Sequence, residues 1–344
     1  MKFNKKNIPL DEFIDSALYK KKIGYYMHKN PFGQKGDFVT APNISVLFSE
    51  MVAIWCIAFW ENLKHPKKIN IIELGAGNGE LMYQIIKVFN KFKLNCNYFI
   101  LEKSQYLKKI QKKKLSSNKV IWIKSINQIK TGPNIFLANE FFDALPIKQF
   151  IKKNKKWFEI KVSKNKNGNF EKINSITNIK KLEKQIKINL SDNQKFIEFS
   201  PLTYKFLKII SKKINKLHGG LLIIDYGYLN KEMKNTIQSV YKHNFNNIFN
   251  NLGKSDITYN INFFLLRKIA KKFDLKVGGL TTQKRFLINL GILHRAEILA
   301  KNLRFLKKAD IYHRLKRLID KRFMGEIFKV MFLTSKNIKF KTGF

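Results

Sequence analysis

Cysteine is scarce in this 344-residue chain, which contains only Cys56 and Cys96. Neither residue belongs to a paired Cys-x-x-Cys motif. The pattern therefore excludes a disulfide framework and predicts no metal site. Two isolated thiols suit a reducing compartment, and we expect a cytoplasmic location.

Segments that would direct the chain to a membrane are missing as well. The first residues include Asp11, Glu12 and Asp15, but neither the apolar core of a signal peptide nor the arginines of a transit peptide. The apolar run at residues 51–60 is too short to span a bilayer. We expect this run to lie in a buried helix that begins near Ser45, and we expect no membrane span.

Arginine and acidic residues are few, although the chain is strongly basic. Only seven of the 67 basic residues are arginine, the acidic residues number 24, and the formal net charge is +43. Such a charge first suggests a nucleic-acid partner. However, lysine is spread along the whole chain, as an AT-rich coding bias would spread it, whereas nucleic-acid sites favour arginine. The composition therefore disfavours a nucleic-acid partner.

What the chain does contain is a strand–glycine–helix pattern at residues 69–79, Ile-Asn-Ile-Ile-Glu-Leu-Gly-Ala-Gly-Asn-Gly. The apolar run predicts a buried parallel strand. Gly75, Gly77 and Gly79 predict a tight turn whose backbone can approach a ligand. Glu73, at the end of this strand, is typical of loops that bind the cationic S-adenosylmethionine. A plain strand-to-helix turn without a ligand is the alternative.

A second acid follows at the distance expected for a cofactor site. Apolar residues spaced by three and four predict a helix over 78–92, and residues 97–102 predict a second strand that ends at Glu102. Glu102 lies 23 residues after Gly79, where its carboxylate would accept both hydroxyl groups of a ribose. A solvated acid at a strand end is the alternative interpretation.

The whole pattern predicts an α/β fold with a parallel, doubly wound sheet. We expect a helical N-terminal segment over 1–65 that covers the active site, a core over 66–344, and an antiparallel β insertion over 147–200 on the substrate side. Within the core we expect strands at 69–74, 97–102, 119–124, 134–139, 221–226 and 326–333, and helices at 78–92, 104–115, 201–217, 262–273 and over most of 283–320.

The fourth predicted strand runs into residues 139–146, Asn-Glu-Phe-Phe-Asp-Ala-Leu-Pro. Ligands of open parallel sheets bind beyond the carboxyl ends of the strands, so this segment should face the reactive end of a cofactor. Glu140 and Asp143 are three residues apart and can point into one pocket if the segment turns helically. Phe141 and Phe142 would exclude water and strengthen charge contacts.

Several motifs together resemble those of the MidA-like methyltransferases, a family that includes a mitochondrial complex I assembly factor that methylates arginine. The resemblance covers nearly the whole chain, and the run of eight residues from Asn139 is highly specific. The other matching segments are 24–26, 36–42, 73–79, 157–159, 198–201, 224–227, 282–283, 286–287, 290–292 and 324–325. Departures from the family pattern include Ala76, Asn43, Ser49, Leu252, Asn260 and Asn262.

The resemblance implies a class I, Rossmann-like methyltransferase that uses S-adenosylmethionine to methylate a protein arginine, with symmetric dimethylation of a respiratory complex I subunit. We expect Glu140 to clamp the guanidinium group and Asp143 to act as its partner or as a proton acceptor. For the cofactor we expect Glu73, Gly75, Gly77, Gly79, Glu102 and Asn139. For the substrate we expect Asp225, Glu198 and Tyr226.

Three other interpretations stay open at this stage. In the first, the 139–146 segment has a purely structural role, in which Asp143 caps a helix and Glu140 holds the loop. A nucleic-acid methyltransferase is a rival function, although the segment lacks the prolines of the Asn-Pro-Pro-Tyr loop. A non-catalytic assembly factor that binds S-adenosylmethionine is the second rival. The oligomeric state is not predicted by any pattern in the chain.

Overall fold

The computed structural model describes residues 6–29, 31–33 and 39–344. The N-terminal elements are β1 (Asn7–Pro9), α1 (Leu10–Tyr19), α2 (Tyr25–His28), α3 (Ala41–Ile44) and α4 (Val46–Asn62). Residues 34–38, which include the first part of the matching segment 36–42, lie outside the described residues. The predicted buried helix is α4: the Ser45 hydroxyl accepts the Leu47 N–H at 3.3 Å and caps its first turn.

Strands and helices then alternate, as the sequence predicts. They are β2 (Ile69–Leu74), α5 (Glu80–Lys91), β3 (Cys96–Leu101), α6 (Gln105–Lys114), β4 (Val120–Ile123) and β5 (Asn134–Asn139). Every residue of β2 is buried. Because both faces of a parallel strand are covered by helices, such a strand is apolar without alternation, which is why the run was recognisable.

The segment that follows contains β6 (Lys148–Lys153), β7 (Lys156–Lys164), β8 (Phe170–Ile176), α7 (Ile179–Ile186) and β9 (Phe196–Phe199). Its strands pair antiparallel in the order β7–β6–β9, with β8 on the other edge of β7. The strand β1 also joins this sheet, with Ile8 opposite Val162. The N-terminal segment is therefore not purely helical, and it is hydrogen-bonded to the insertion.

The remaining elements are α8 (Pro201–Leu217), β10 (Gly219–Tyr228), β11 (Gln238–Tyr241), β12 (Asn244–Asn246), β13 (Asp256–Thr258), β14 (Ile261–Asn262), α9 (Phe263–Lys272), β15 (Lys276–Thr282), α10 (Gln283–Asn289), α11 (Ile292–Ala300), α12 (Phe305–Ile319), α13 (Met324–Ile327) and β16 (Phe328–Thr334). The sequence did not predict α7, β9 or the strands β11 to β15. The strand predicted over 326–333 begins later, because Met324–Ile327 is helical.

The central sheet runs in the order β15–β16–β10–β5–β2–β3–β4. The strands from β10 to β4 are parallel, whereas β16 is antiparallel to both of its neighbours. Chain order reverses between β2 and β5, because β3 lies on one side of this pair and β10 on the other. Such a switch point opens a crevice at the carboxyl ends of the two strands, where ligands bind. The glycine turn and the 139–146 segment both leave the sheet there.

Gly219 and Gly220 are the first residues of the central strand β10. β10 begins at Gly219, where a Cβ atom would stand 1.9 Å from the Asn134 carbonyl oxygen. Only glycine permits β10 to pair with β5 this closely. Within the described ranges, no helix is long and apolar enough to cross a membrane.

Candidate active site

The glycine turn has the conformation that its residues predict. Gly75, Gly77 and Gly79 have φ angles of +66°, +52° and +81°, all in the left-handed region that favours glycine. The Gly79 N–H donates to the Ala76 carbonyl at 2.7 Å and closes the turn at the N-terminus of α5. A Cβ on Gly77 would stand 3.3 Å from the Phe32 ring, so the loop is narrowly enclosed.

Glu73 lies behind this turn, and its buried carboxyl group can accept a further hydrogen bond. It is 4% exposed, and burial raises the pKa of its carboxyl group to about 8, although the Met82 N–H in the first turn of α5 favours the charged form. Its Oε2 atom has no hydrogen-bond partner among the described residues. A buried acceptor without a partner is unfavourable, and a cationic ligand would satisfy it.

Glu102 follows β3 and is fixed from two sides. The Ser104 N–H donates to Oε1 at 2.8 Å and the Gln111 side chain donates to Oε2 at 3.0 Å. The same Gln111 amide donates to the Gly77 carbonyl at 2.9 Å and accepts the Trp122 indole N–H at 2.9 Å. Gln111 therefore joins the glycine turn to Glu102. In the sequence, Gln111 is recognisable only as a polar residue on the inner face of a predicted helix.

Glu140 adopts a left-handed backbone conformation, with φ of +49°. A non-glycine residue in this region is strained by roughly 1 kcal/mol or more, and such residues concentrate at functional sites. Its N–H donates to the Ile224 carbonyl at 2.9 Å, which holds the turn. Its carboxylate receives the Ala41 N–H and lies 3.4 Å from the Asn139 amide. Asn139 Oδ1 is buried without a partner among the described residues.

Glu140 and Asp143 share one electrostatic environment. Burial, then the charges of Asp143 and Asp256, raise the pKa of Glu140 to about 8. Asp143 is 4% exposed, and burial raises its pKa to about 6, although the Tyr226 hydroxyl and the Ala144 N–H favour the charged form. In the described part of the chain, Asp143 Oδ1 has no hydrogen-bond partner. The pair is therefore poised to receive a cation.

Asp225 lies behind the pair. It is fully buried, and its Oδ2 accepts the N–H groups of Phe142 at 3.1 Å and Asp143 at 3.3 Å, while Oδ1 accepts the Tyr226 N–H at 3.1 Å. Burial, then the charges of Asp143 and Glu140, raise its pKa well above the usual range. Asp225 therefore holds the backbone of Phe142 and Asp143 in place, and it does not line the main cleft.

Glu198, also expected at the substrate, lies elsewhere. It belongs to β9 of the small sheet, where its carboxylate accepts hydrogen bonds from the Gln149 amide at 2.7 Å and from the N–H and hydroxyl groups of Thr236. It borders a separate, much smaller cavity. The structure therefore brings Tyr226 to the main cleft but not Glu198.

The main cleft has a volume of about 540 Å³ and opens where β2, β3 and β5 end. Its charged residues are Asp15, Glu102, Glu140, Asp143, Asp256, Lys103, Lys108, Lys124 and Lys205. Acids thus outnumber lysines in the cleft of a chain whose formal charge is +43. The sequence did not single out Asp256, which lies on β13 far along the chain. Within this cleft, the three acids that act on one another, Glu140, Asp143 and Asp256, favour a ligand with positive charge.

The N-terminal segment supplies an aromatic wall to this cleft. Tyr19 stacks on Tyr26 with ring centroids 5.6 Å apart, and Tyr26 stacks on Phe32 at 6.3 Å. All three side chains line the cavity, and Phe32 reaches the glycine turn. Aromatic faces attract cations. Among the described residues, no group of three or more potential metal ligands is arranged to hold one metal ion.

Comparison with known proteins agrees with this geometry. The protein arginine methyltransferase NDUFAF7, mitochondrial, of Xenopus tropicalis is 28% identical over 94% of this chain and 81% of its own length. The Homo sapiens protein of the same name is 27% identical, over 85% of this chain and 72% of its own. A crystal structure from Burkholderia thailandensis, bound to S-adenosyl-homocysteine, superimposes with a TM-score of 0.82 at 22% identity, over 98% of this chain and 90% of the other.

S-adenosylmethionine is the cofactor of this fold, and the residues of the cleft suit it. The acids of the cleft match its positive charge, and Glu102, held by Ser104 and Gln111, lines the cleft. Glu73, with its unpartnered oxygen, borders a small cavity beside the cleft that shares Gly75 and Gly77 with it. The strand order is that of the class I methyltransferases, as expected from the sequence. The matching family model covers residues 51–281. The chain belongs to this family of S-adenosyl-L-methionine-dependent methyltransferases.

Proposed function

We propose that this methyltransferase modifies arginine side chains of a protein substrate. The observation that carries the proposal is the pair of carboxyl groups beside the glycine turn, that of the half-buried Glu140 and that of the buried Asp143. A guanidinium group stays charged at physiological pH. Transfer of that charge into a dry cleft is favourable only when opposite charges receive it. The relatives named protein arginine methyltransferase support the same choice of acceptor.

Glu140 is the residue that we assign to orienting the acceptor. A carboxylate that accepts two guanidinium N–H groups fixes the plane of the group and directs the third nitrogen elsewhere. The Ala41 N–H and the strained backbone hold this carboxylate in place. Its raised pKa means that it retains a proton near neutral pH until a cation arrives, so binding of the guanidinium converts it to the charged form.

Asp143 is the group that we assign to the proton. S-adenosylmethionine, when bound, supplies a methyl group activated by the adjoining sulfonium. The guanidinium nitrogen that receives the methyl group must release one N–H proton, while the bond from the methyl carbon to sulfur breaks and leaves S-adenosylhomocysteine. Asp143, with a pKa of about 6 and a hydrogen bond from the Tyr226 hydroxyl, can take up that proton and return it to solvent.

Transfer by the purified protein tests the proposal. The protein would be incubated with methyl-labelled S-adenosylmethionine and a glycine-rich peptide that contains one arginine, the same peptide with lysine, or total RNA. We expect label in the arginine peptide alone. Label in RNA or in the lysine peptide would contradict the proposal, and no transfer to any acceptor would favour a binding role.

A matched pair of variants tests whether methyl transfer depends on the carboxylate of Glu140. Glu140→Gln keeps the shape of the side chain and removes its charge. We expect kcat to fall by a factor of about 100 or more, within the usual range for a group that acts in the transition state. Glu297→Gln removes an exposed charge from α11, outside the cleft lining and the insertion, and should leave kcat unchanged. Full transfer by Glu140→Gln would show that the guanidinium is held by other residues.

The finer parts of the proposal rest on the family resemblance. They are symmetric dimethylation and a respiratory complex I subunit as the substrate. The cytoplasmic location is proposed from the two isolated thiols, and the substrate-side role of residues 147–200 from the antiparallel pattern of that segment. Mass spectrometry of the complex I subunits, from cells with and without this gene, would detect a difference of 28 Da per dimethylated arginine, about twice the mass of a CH₂ group. Identical arginine masses in the two samples would exclude that substrate.

A further inference from the structure

Asp256 is an acid of the main cleft to which the proposed function assigns no role. It is 4% exposed, begins β13, and lines the same cavity as Glu140 and Asp143. More than a hundred residues separate it from that pair along the chain. Its charge contributes to the raised pKa of Glu140 and of Tyr226, so it lies within electrostatic reach of both.

Tyr26 holds the Asp256 carboxylate from across the cleft. The Tyr26 hydroxyl donates to Asp256 Oδ1 at 2.9 Å, and the Ile257 N–H donates to the same oxygen at 3.0 Å. The Tyr26 ring is itself held between the rings of Tyr19 and Phe32. The orientation of Asp256 therefore depends on the N-terminal segment.

The main chain of Tyr26 contacts the other half of the cleft. Its carbonyl accepts the Ser104 hydroxyl at 2.6 Å. Ser104 caps α6 through the Leu107 N–H at 3.1 Å, and its own N–H donates to Glu102 Oε1 at 2.8 Å. A single residue, Tyr26, thus connects the acid that we expect to bind ribose with the acid that lies beside the methyl acceptor.

A second observation points to a ligand in the acidic part of the cleft. Asp143 is almost fully buried, and its Oδ1 atom has no hydrogen-bond partner among the described residues. Glu140 and Asp256 line the same cavity as Asp143. A guanidinium group, with five N–H donors, would satisfy more than one carboxylate at once.

Building on the proposed function, we propose that Asp256 binds the acceptor guanidinium together with Glu140 and Asp143, and that Tyr26 couples this binding to the cofactor. A ribose bound at Glu102 would act on Ser104, whose hydroxyl holds the Tyr26 carbonyl, and Tyr26 would present Asp256 to the arginine. The cofactor and the arginine peptide should then each raise the affinity of the other by the same factor, because coupling between two binding equilibria is reciprocal.

Peptide binding and steady-state kinetics with the full chain test this inference. The variants are Asp256→Asn, Tyr26→Phe and, as a control, Asp274→Asn, which removes an exposed charge outside the cleft lining and outside the insertion. The dissociation constant of a fluorescein-labelled arginine peptide is measured with and without saturating S-adenosylhomocysteine. For Asp256→Asn we expect KM and the peptide dissociation constant to rise about tenfold, with kcat lowered less than threefold. Such a rise corresponds to about 1.4 kcal/mol of binding.

Tyr26→Phe removes only a hydroxyl group and keeps the main-chain contact to Ser104. We expect S-adenosylhomocysteine to strengthen peptide binding to the wild-type protein at least fivefold, and to the Tyr26→Phe protein less than twofold. The control should behave as the wild type. If Asp256→Asn fails to fold, the Tyr26→Phe protein still tests whether Tyr26 couples peptide binding to cofactor binding.

Each failure has its own signature. A wild-type protein that methylates no arginine peptide would overturn the proposed function itself. Arginine methylation by the wild type, with unchanged KM and peptide affinity in Asp256→Asn, would overturn only the role of Asp256. A kcat loss in Asp256→Asn without any change of KM would also overturn it. Equal cofactor enhancement in the wild-type and Tyr26→Phe proteins would exclude the coupling.

Discussion

Replacement of Glu73 by glutamine should stabilise the ligand-free protein at neutral and alkaline pH and weaken cofactor binding. Glu73 is buried, and its pKa rises from 4.5 to about 8 on folding. In the unfolded chain the same carboxyl group loses its proton near pH 4.5. Between these two values the folded state binds more protons than the unfolded state, so the free energy of unfolding falls as the pH rises.

The size of the effect follows from the interval between the two pKa values. Each pH unit within it changes the free energy of unfolding by about 1.4 kcal/mol. At pH 7 the carboxyl group therefore destabilises the fold by up to about 3 kcal/mol, and above pH 8 by up to about 5 kcal/mol. Glutamine retains an oxygen for the Met82 N–H but cannot ionise, so the variant avoids this destabilisation.

Urea unfolding followed by circular dichroism at about pH 5, 7 and 8.5 measures the difference. The Glu73→Gln protein should be slightly more stable than the wild type at pH 5, and the difference should widen at each higher pH. Saturating S-adenosylmethionine should stabilise the wild type more than the variant, because its positive charge favours the carboxylate. By calorimetry we expect at least tenfold weaker cofactor binding to the variant. A stability difference that stays constant with pH would refute the reasoning.

Three further predictions concern the frame of the site. Gln111→Ala removes the hydrogen bonds that join the glycine turn to Glu102 and should weaken S-adenosylhomocysteine binding about tenfold by calorimetry, whereas Lys112→Ala should not. Gly77→Val places a branched side chain at φ +52° against Phe32, and calorimetry should detect no cofactor binding; unchanged affinity would exclude the turn as the cofactor site. Gly219→Ala forces β10 away from β5 and should lower the free energy of unfolding by about 3 kcal/mol or more; Gly291→Ala, at positive φ in open space, should cost about 1 kcal/mol.

The elements that the sequence predicts correctly are those with a recognisable pattern among neighbouring residues. β2 and β5 are apolar runs covered on both faces, and their bounds match the predicted ones. α8 begins at a proline behind a serine cap, as helices often do. By contrast, β15 contains Gly278 and Gly279 and has no strand-like pattern. These glycines make room for the rings of Phe332 and Phe344, which only the folded chain brings there.

The candidate site divides in the same way. Glu73, Glu102, Glu140 and Asp143 each lie at or just beyond the end of a predicted strand, so sheet topology alone places them at one edge of the sheet. Asp225 was also placed there by its strand, but its position relative to the neighbouring backbone gives it three N–H donors and turns it away from the main cleft. The register of the strands, which determines such contacts, is not encoded in a local pattern.

The sequence by itself determined the alternation of strands and helices, the glycine turn and the acids around it, because these depend on neighbouring residues along the chain. The tertiary structure alone decided which distant residues complete the cleft. Tyr26 and Asp256 meet across 230 positions of sequence. Their contact depends on how the N-terminal segment docks against the core, and that docking is a sum of many weak packing interactions with no short motif.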